Sequence, residues 1–205
     1  MVLRLKPLFY FSLVFIAFTV IGTLSHEMGH IVVAKVLGYE TTLHYASMNW
    51  EGESPYHLLP SNAFWISLGG PAQTLLSSFM GLGILIYREL TLGKRTWNFI
   101  DWLAAFLTLF CLRQLANLFV GLVKFFLGKV QSPFGGDEFY LAQELNWHPG
   151  LISITTACLS LIISLVVIFR FIPAHFRLSF ISGGFIGGIL GYYLWLIKIG
   201  PWLLP

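Results

Sequence analysis

The stretch Ser25-His26-Glu27-Met28-Gly29-His30 lies inside an apolar run covering residues 8–37. A run of that length reads as a helix crossing a bilayer, because only a structure that satisfies its own backbone groups survives in hydrocarbon. On a helix, His26 and His30 stand on one face, one above the other. Neutral imidazoles at that spacing can bind one zinc ion together, and Glu27 between them can act on a zinc-bound water. The plain alternative is a pair of histidines hydrogen-bonded within a helix bundle. Ionisable groups in lipid are costly, however, and three within five residues call for a shared reason. Zinc supplies one.

The rest of the composition agrees with a membrane setting. Of 205 residues, 57% are hydrophobic and only 10% are charged, against about 25% charged in a soluble domain. The net charge of +3 is spread between apolar runs, with no basic patch interleaved with aromatics, so nucleic acid is not an expected partner. Cys111 and Cys158 both sit in apolar runs and read as buried thiols. Arg4 and Lys6 followed by apolar residues resemble a signal peptide. The run is too long for one and carries the histidines, so it is expected to be retained.

The expected fold is an all-α polytopic membrane protein. About five transmembrane helices are predicted, over residues 8–37, 62–87, 97–127, 151–172 and 179–199, with a small β-hairpin or loop between the first two. A single membrane-embedded domain over 1–205 is expected, its core motifs within 8–146 and its last two helices over 151–199. Thirty residues at 1.5 Å each make the first helix about 45 Å long, more than the roughly 30 Å hydrocarbon core. Thr41 to Tyr45 have strand-forming residues, and Glu51-Gly52-Glu53-Ser54-Pro55 reads as a turn. The carboxylates and histidines of this loop, Glu40, His44, Glu51, Glu53 and His57, are expected to be solvated, and a strand edge there offers a place for an extended peptide. Residues 88–96 read as a short basic loop. Gly183, Gly187 and Gly191 recur every fourth residue, as do Gly184 and Gly188, which predicts a helix–helix seam.

A catalytic zinc takes three protein ligands and leaves one position for water. The candidates for the third are Asp137, Glu138, His148, Asp101 and the acids of the first loop. Asp137 is favoured because Gly135 and Gly136 precede it and apolar residues surround it. Its other reading is an ordinary helix N-cap. Gly69, Gly70 and Pro71 interrupt the second span, where Pro71 frees the Ser67 carbonyl. Gln73 and Thr74 follow and are positioned to face the metal as hydrogen-bond donors. Arg113, Gln114 and Asn117 mark the middle of the third span, with a polar face expected to point into the bundle.

These residues resemble the site-2 protease family of intramembrane zinc metalloproteases. His26-Glu27-Met28-Gly29-His30 matches that family's HExGH motif, and Gly69-Gly70-Pro71 resembles its glycine–proline motif. Asn117, followed later by Gly135-Gly136-Asp137, resembles its third motif, whose aspartate ligates zinc. The resemblance covers roughly residues 8–146 in motif order. It implies an intramembrane zinc endopeptidase that cuts in or near transmembrane segments of membrane-protein substrates. In that reading His26, His30 and Asp137 are metal ligands and Glu27 is the general base. Gly70, Pro71, Gln73, Thr74 and Asn117 would support substrate or transition state. There are departures: Asp137 follows its glycines where the family's aspartate precedes them, and Thr74 stands where many relatives have asparagine. No segment is long enough for an inserted PDZ or CBS domain, so a minimal relative is expected.

Two other classes remain open at this point: a non-catalytic zinc-binding scaffold or regulatory protein, and a haem or ion-conducting membrane protein. Two ligands on one helix face suit zinc better than bis-histidine haem. The expected location is a cell (inner) membrane, with the lipid bilayer as partner. The distribution of lysine and arginine between the loops puts the N-terminus in the cytoplasm, whereas the family resemblance puts the site near the cytoplasmic face. The residues name neither a substrate nor an oligomeric state.

Overall fold

The structure is a computed structural model that describes residues 2–53, 61–93 and 97–205. Among the described residues, five helical stretches are long and apolar enough to cross a membrane: Leu5–Val36, Asn62–Leu92, Phe99–Phe126, Leu151–Phe171 and Arg177–Leu203.

Helix α1 (Leu5–Val36) has 32 residues and is therefore about 48 Å long. It ends as a Schellman motif. Gly38, at φ 89°, supplies the left-handed residue; its N–H donates to the Lys35 carbonyl, and the Tyr39 N–H donates to Ala34, each at 3.0 Å. The chain turns there into an antiparallel hairpin, β1 (Glu40–Leu43) and β2 (Met48–Glu51). Met48 and Leu43 pack with Ile31, Ala34, Leu37 and Ile66, which seats the hairpin on the end of α1. The hairpin's own connection is residues 44–47, closed by the His44 N–H donating to Ser47 at 2.9 Å. Of the turn expected at 51–55, Glu51 still belongs to β2 and Gly52 bends the chain at φ 96°. Of that stretch, Ser54 and Pro55 lie outside the described residues, as does His57.

Helix α2 (Asn62–Leu92) begins at Ser61, whose hydroxyl accepts from the Phe64 N–H at 3.2 Å, and carries Pro71 inside it. It runs five residues past the predicted end. Arg88 is consequently helical rather than part of a loop, because it finds a buried partner: its Nε is 2.8 Å from Asp101 Oδ1. Asp101 belongs to the capping box of α3 (Phe99–Thr108) and accepts from the Asn98 N–H. A single 3₁₀ turn, Leu109–Cys111, joins α3 to α4 (Leu112–Phe126), so the third span is one rod with a tightened middle. Helix α5 (Asp137–Glu144) is short. Helices α6 (Leu151–Val166) and α7 (Arg177–Tyr192) each continue as a π-helical stretch, Val167–Phe171 and Tyr193–Ile199, and α8 (Gly200–Leu203) closes the chain.

Close glycine contacts help to assemble the bundle, two of them on α1. Gly29 of α1 and Gly69 of α2 face each other so closely that a Cβ on either would collide with the other's carbonyl. On the other side of α1, Gly183, Gly187 and Gly191 of α7 lie against Phe11, Ser12, Phe15 and Thr19. Lipid gives apolar helices no hydrophobic reason to associate, so close backbone packing of this kind carries the load. Phe11, Phe15, Trp102, Phe106 and Phe180 fill the space between α1, α3 and α7 with edge-on and tilted ring contacts. Gly22, by contrast, only touches the Phe110 ring at an ordinary 3.7 Å.

Candidate metal centre

Helix α1 carries His26, Glu27 and His30, all buried. Helix α2 crosses them at Gly70, where any Cβ would strike both Nε2 atoms. The crossing also fixes the rings. His26 Nδ1 lies 2.9 Å from Thr74 Oγ1, and that hydroxyl donates to the Gly70 carbonyl at 3.1 Å. A hydroxyl has one hydrogen, so towards His26 it accepts, and the proton is on Nδ1. His30 Nδ1 lies 2.7 Å from the Ile66 carbonyl, which can only accept; the longer 3.3 Å approach of the Gly70 N–H yields to it. Both imidazoles are thereby held as the tautomer with a free lone pair on Nε2.

Those two Nε2 atoms are 3.2 Å apart. Asp137, the first residue of α5, brings Oδ2 to 2.9 Å from His26 Nε2 and 3.4 Å from His30 Nε2. Gly136, at φ 74°, turns the chain so that Asp137 arrives there. Two nitrogen lone pairs and a carboxylate thus point at one spot, all within 4.8 Å of one another. Such a set repels itself without a cation at its centre, and two imidazoles with one carboxylate fit a divalent metal.

Glu27 is not one of these three. Its Oε1 is 3.5 Å from Nη2 of Arg113 on α4. The two residues line a cavity of about 270 Å³ together with His30, Asp137, Gly136, Ile66, Ser67 and the hairpin residues Ala46, Ser47, Met48 and Trp50.

The other sequence candidates fall in different places. Asp101 is taken by Arg88 and by its capping box. His148 Nδ1 accepts from the Gly150 N–H at 3.2 Å. Glu138 is buried beside a second, small cavity of about 20 Å³ with Gln114, Asn117 and Ser153. Gln73 is bonded to Ser25 and Ser77 rather than aimed at the cluster. Pro71 is buried next to Gly70 in α2. Asn117 is exposed, so the inward polar face of the third span is made by Arg113 and Gln114 instead. Sequence reasoning missed the Ile66 carbonyl and the hairpin lining. No side-chain signal marks a backbone acceptor, and Ser47 and Trp50 carry none of the residue types that ligate metal.

No protein-family model matches the chain, and no curated protein and no solved structure matches it. The geometry therefore stands by itself. This is a multi-span helical membrane protein whose buried His-His-Asp cluster can chelate a metal.

Proposed function

We propose that the protein is an intramembrane zinc endopeptidase resembling the site-2 protease family, in a single domain, acting on membrane-protein segments in a cell (inner) membrane. The observation that carries this reading is the convergence of His26, His30 and Asp137 beside Glu27 at a cavity bordered by a β-strand. His26, His30 and Asp137 would hold the ion. When bound, zinc supplies Lewis acidity, lowering the pKa of water and polarising a carbonyl.

The chain's own groups do the rest. Thr74 and the Ile66 carbonyl orient the two rings. Glu27 accepts the proton of the attacking water and later delivers it to the leaving amine nitrogen. The scissile amide of a helix is hidden in its own hydrogen bonds, so the substrate unwinds before attack. Strand β2 is bonded to β1 on one edge, and its residues border the cavity. An unwound segment laid along it would exchange helix hydrogen bonds for strand ones.

The test is elemental analysis of purified protein together with cleavage of single-span reporters carrying helix-breaking residues. One zinc per chain is expected, absent in His26→Ala, weakened in Asp137→Ala and retained in Glu27→Gln, which is expected to cleave nothing. Normal cleavage by Glu27→Gln would sink the mechanism. Full zinc occupancy without hydrolysis of any reporter would favour a non-catalytic scaffold.

A further inference from the structure

We infer that Arg113 is a catalytic residue of this site: the cation that takes up the negative charge developing on the scissile carbonyl oxygen. The inference rests on the peptidase reading and goes beyond it by naming a group that no motif assigns.

Amide hydrolysis moves a pair of electrons onto the carbonyl oxygen as water adds to the carbon. One proton goes to Glu27, the C–N bond then breaks, and that proton leaves with the amine. A donor or cation fixed beside the oxygen lowers this barrier. The polar residues suggested by the motifs are occupied elsewhere. Thr74 has given its hydrogen to the Gly70 carbonyl and its lone pair to His26. Gln73 is bonded to Ser25 and Ser77. Asn117 borders the other, smaller cavity. None of the three lines the cavity that holds Glu27, His30 and Asp137, whereas Arg113 does. Among the described residues, Arg113 is the one arginine or lysine in that lining.

Its placement suits the task. The guanidinium carries five N–H groups in a planar fork. Its Nη2 lies a loose 3.5 Å from Glu27, and the side chain is still 26% exposed. It therefore has N–H donors to spare beyond the one nearest Glu27, on a side chain that lines the same cavity as Glu27, His30 and Asp137. A charge in the middle of a span is costly to keep. Neutralising Glu27 would explain a positive charge there. It would not explain why the contact is loose and the fork borders the cavity.

The test compares two probes on zinc-loaded wild type, Arg113→Ala and Arg113→Lys in lipid nanodiscs. A phosphonamidate tripeptide carries a tetrahedral anionic oxygen where the reacting oxygen would be; a mercaptoacyl dipeptide gives the metal a sulfur and places no oxygen there. The expected result is unchanged zinc content and mercaptoacyl affinity in Arg113→Ala. Its phosphonamidate affinity is expected to fall about 100-fold, the scale of losing one oxyanion donor, with Arg113→Lys in between. Equal weakening of both probes, or of neither, would overturn the inference and leave Arg113 as a structural counter-charge. Wild type that holds zinc and binds neither probe would overturn the peptidase reading along with it. Should Arg113→Ala not fold, Arg113→Gln, which keeps a stem and an N–H₂ group without the charge, carries the same comparison.

Discussion

Thr74 Oγ1 stands 2.9 Å from His26 Nδ1, across the seam between α1 and α2. The hydroxyl decides which imidazole nitrogen keeps its proton, and so which one is free for a metal. Thr74→Val preserves the shape of the side chain and removes the acceptor. Zinc affinity is expected to fall about 10- to 100-fold, the usual cost of losing a partner of a metal-binding histidine. Competition with a chromophoric chelator reads this directly. An affinity equal to wild type would show that the hydroxyl does not orient the ring.

Gly70 is the point at which α2 comes closest to the cluster. A methyl group there would enter the space of His26 Nε2 and His30 Nε2, while the remainder of α2 could still form. Gly70→Ala is expected to abolish zinc binding with helix content unchanged by circular dichroism. Gly83→Ala, in the same helix, meets nothing within 4 Å and is expected to keep the zinc. Zinc retained in Gly70→Ala would mean that the helices stand further apart than described.

Much of this was legible in the sequence, for reasons that differ by feature. The five spans follow from apolar length, and the glycine seam from its four-residue spacing, because lipid makes both requirements severe. The histidine pair was legible because helical spacing alone puts both rings on one face. What failed depended on partners distant in the chain. The end of α2 is not readable from sequence, because Arg88 reads as a loop residue and its counter-charge, Asp101, lies on the next helix. The hairpin connection at 44–47 is not readable, because it holds neither glycine nor proline; its flanking residues Leu43 and Met48 pack on the end of α1. Thr74 and Gln73 are neighbours with similar hydrogen-bonding groups, and only tertiary geometry separates the one that touches His26 from the one that bonds Ser25.

Asp137 reaches the histidines through a backbone conformation that suits glycine. Gly136 has φ 74° and ψ −160°, a region that side chains strongly disfavour. Gly136→Ala carries a strain of roughly 1–3 kcal/mol, which the loop relieves most readily by letting Asp137 move. Zinc affinity is expected to drop about tenfold or more, with thermal stability of the metal-free protein little changed. Gly135→Ala, with open space around it and no such dihedral requirement, is the control and is expected to bind zinc normally. Identical affinities for the two variants would remove Gly136 from the account of how Asp137 is placed.

The seam between α1 and α7 makes a sharper distinction, because adjacent glycines face different surroundings. A Cβ at Gly187 would run into the Ser12 carbonyl and the Phe15 side chain, whereas one at Gly188 would meet nothing within 4 Å. Gly187→Ala is therefore expected to destabilise the bundle by roughly 1–3 kcal/mol, the range for overpacking a close contact. Gly188→Ala is expected to be neutral or slightly stabilising, since alanine favours the helix over glycine. Unfolding in mixed detergent micelles containing sodium dodecyl sulfate measures both. The seam engages α1 around Phe11 to Thr19, more than a turn before His26. Zinc binding by folded Gly187→Ala is accordingly expected to match wild type, because the histidines are held from the other side by Gly70, Thr74 and Ile66. A Gly187→Ala protein that stayed folded but lost its zinc would mean that the α7 contact, and not the α2 crossing, sets the position of the histidines.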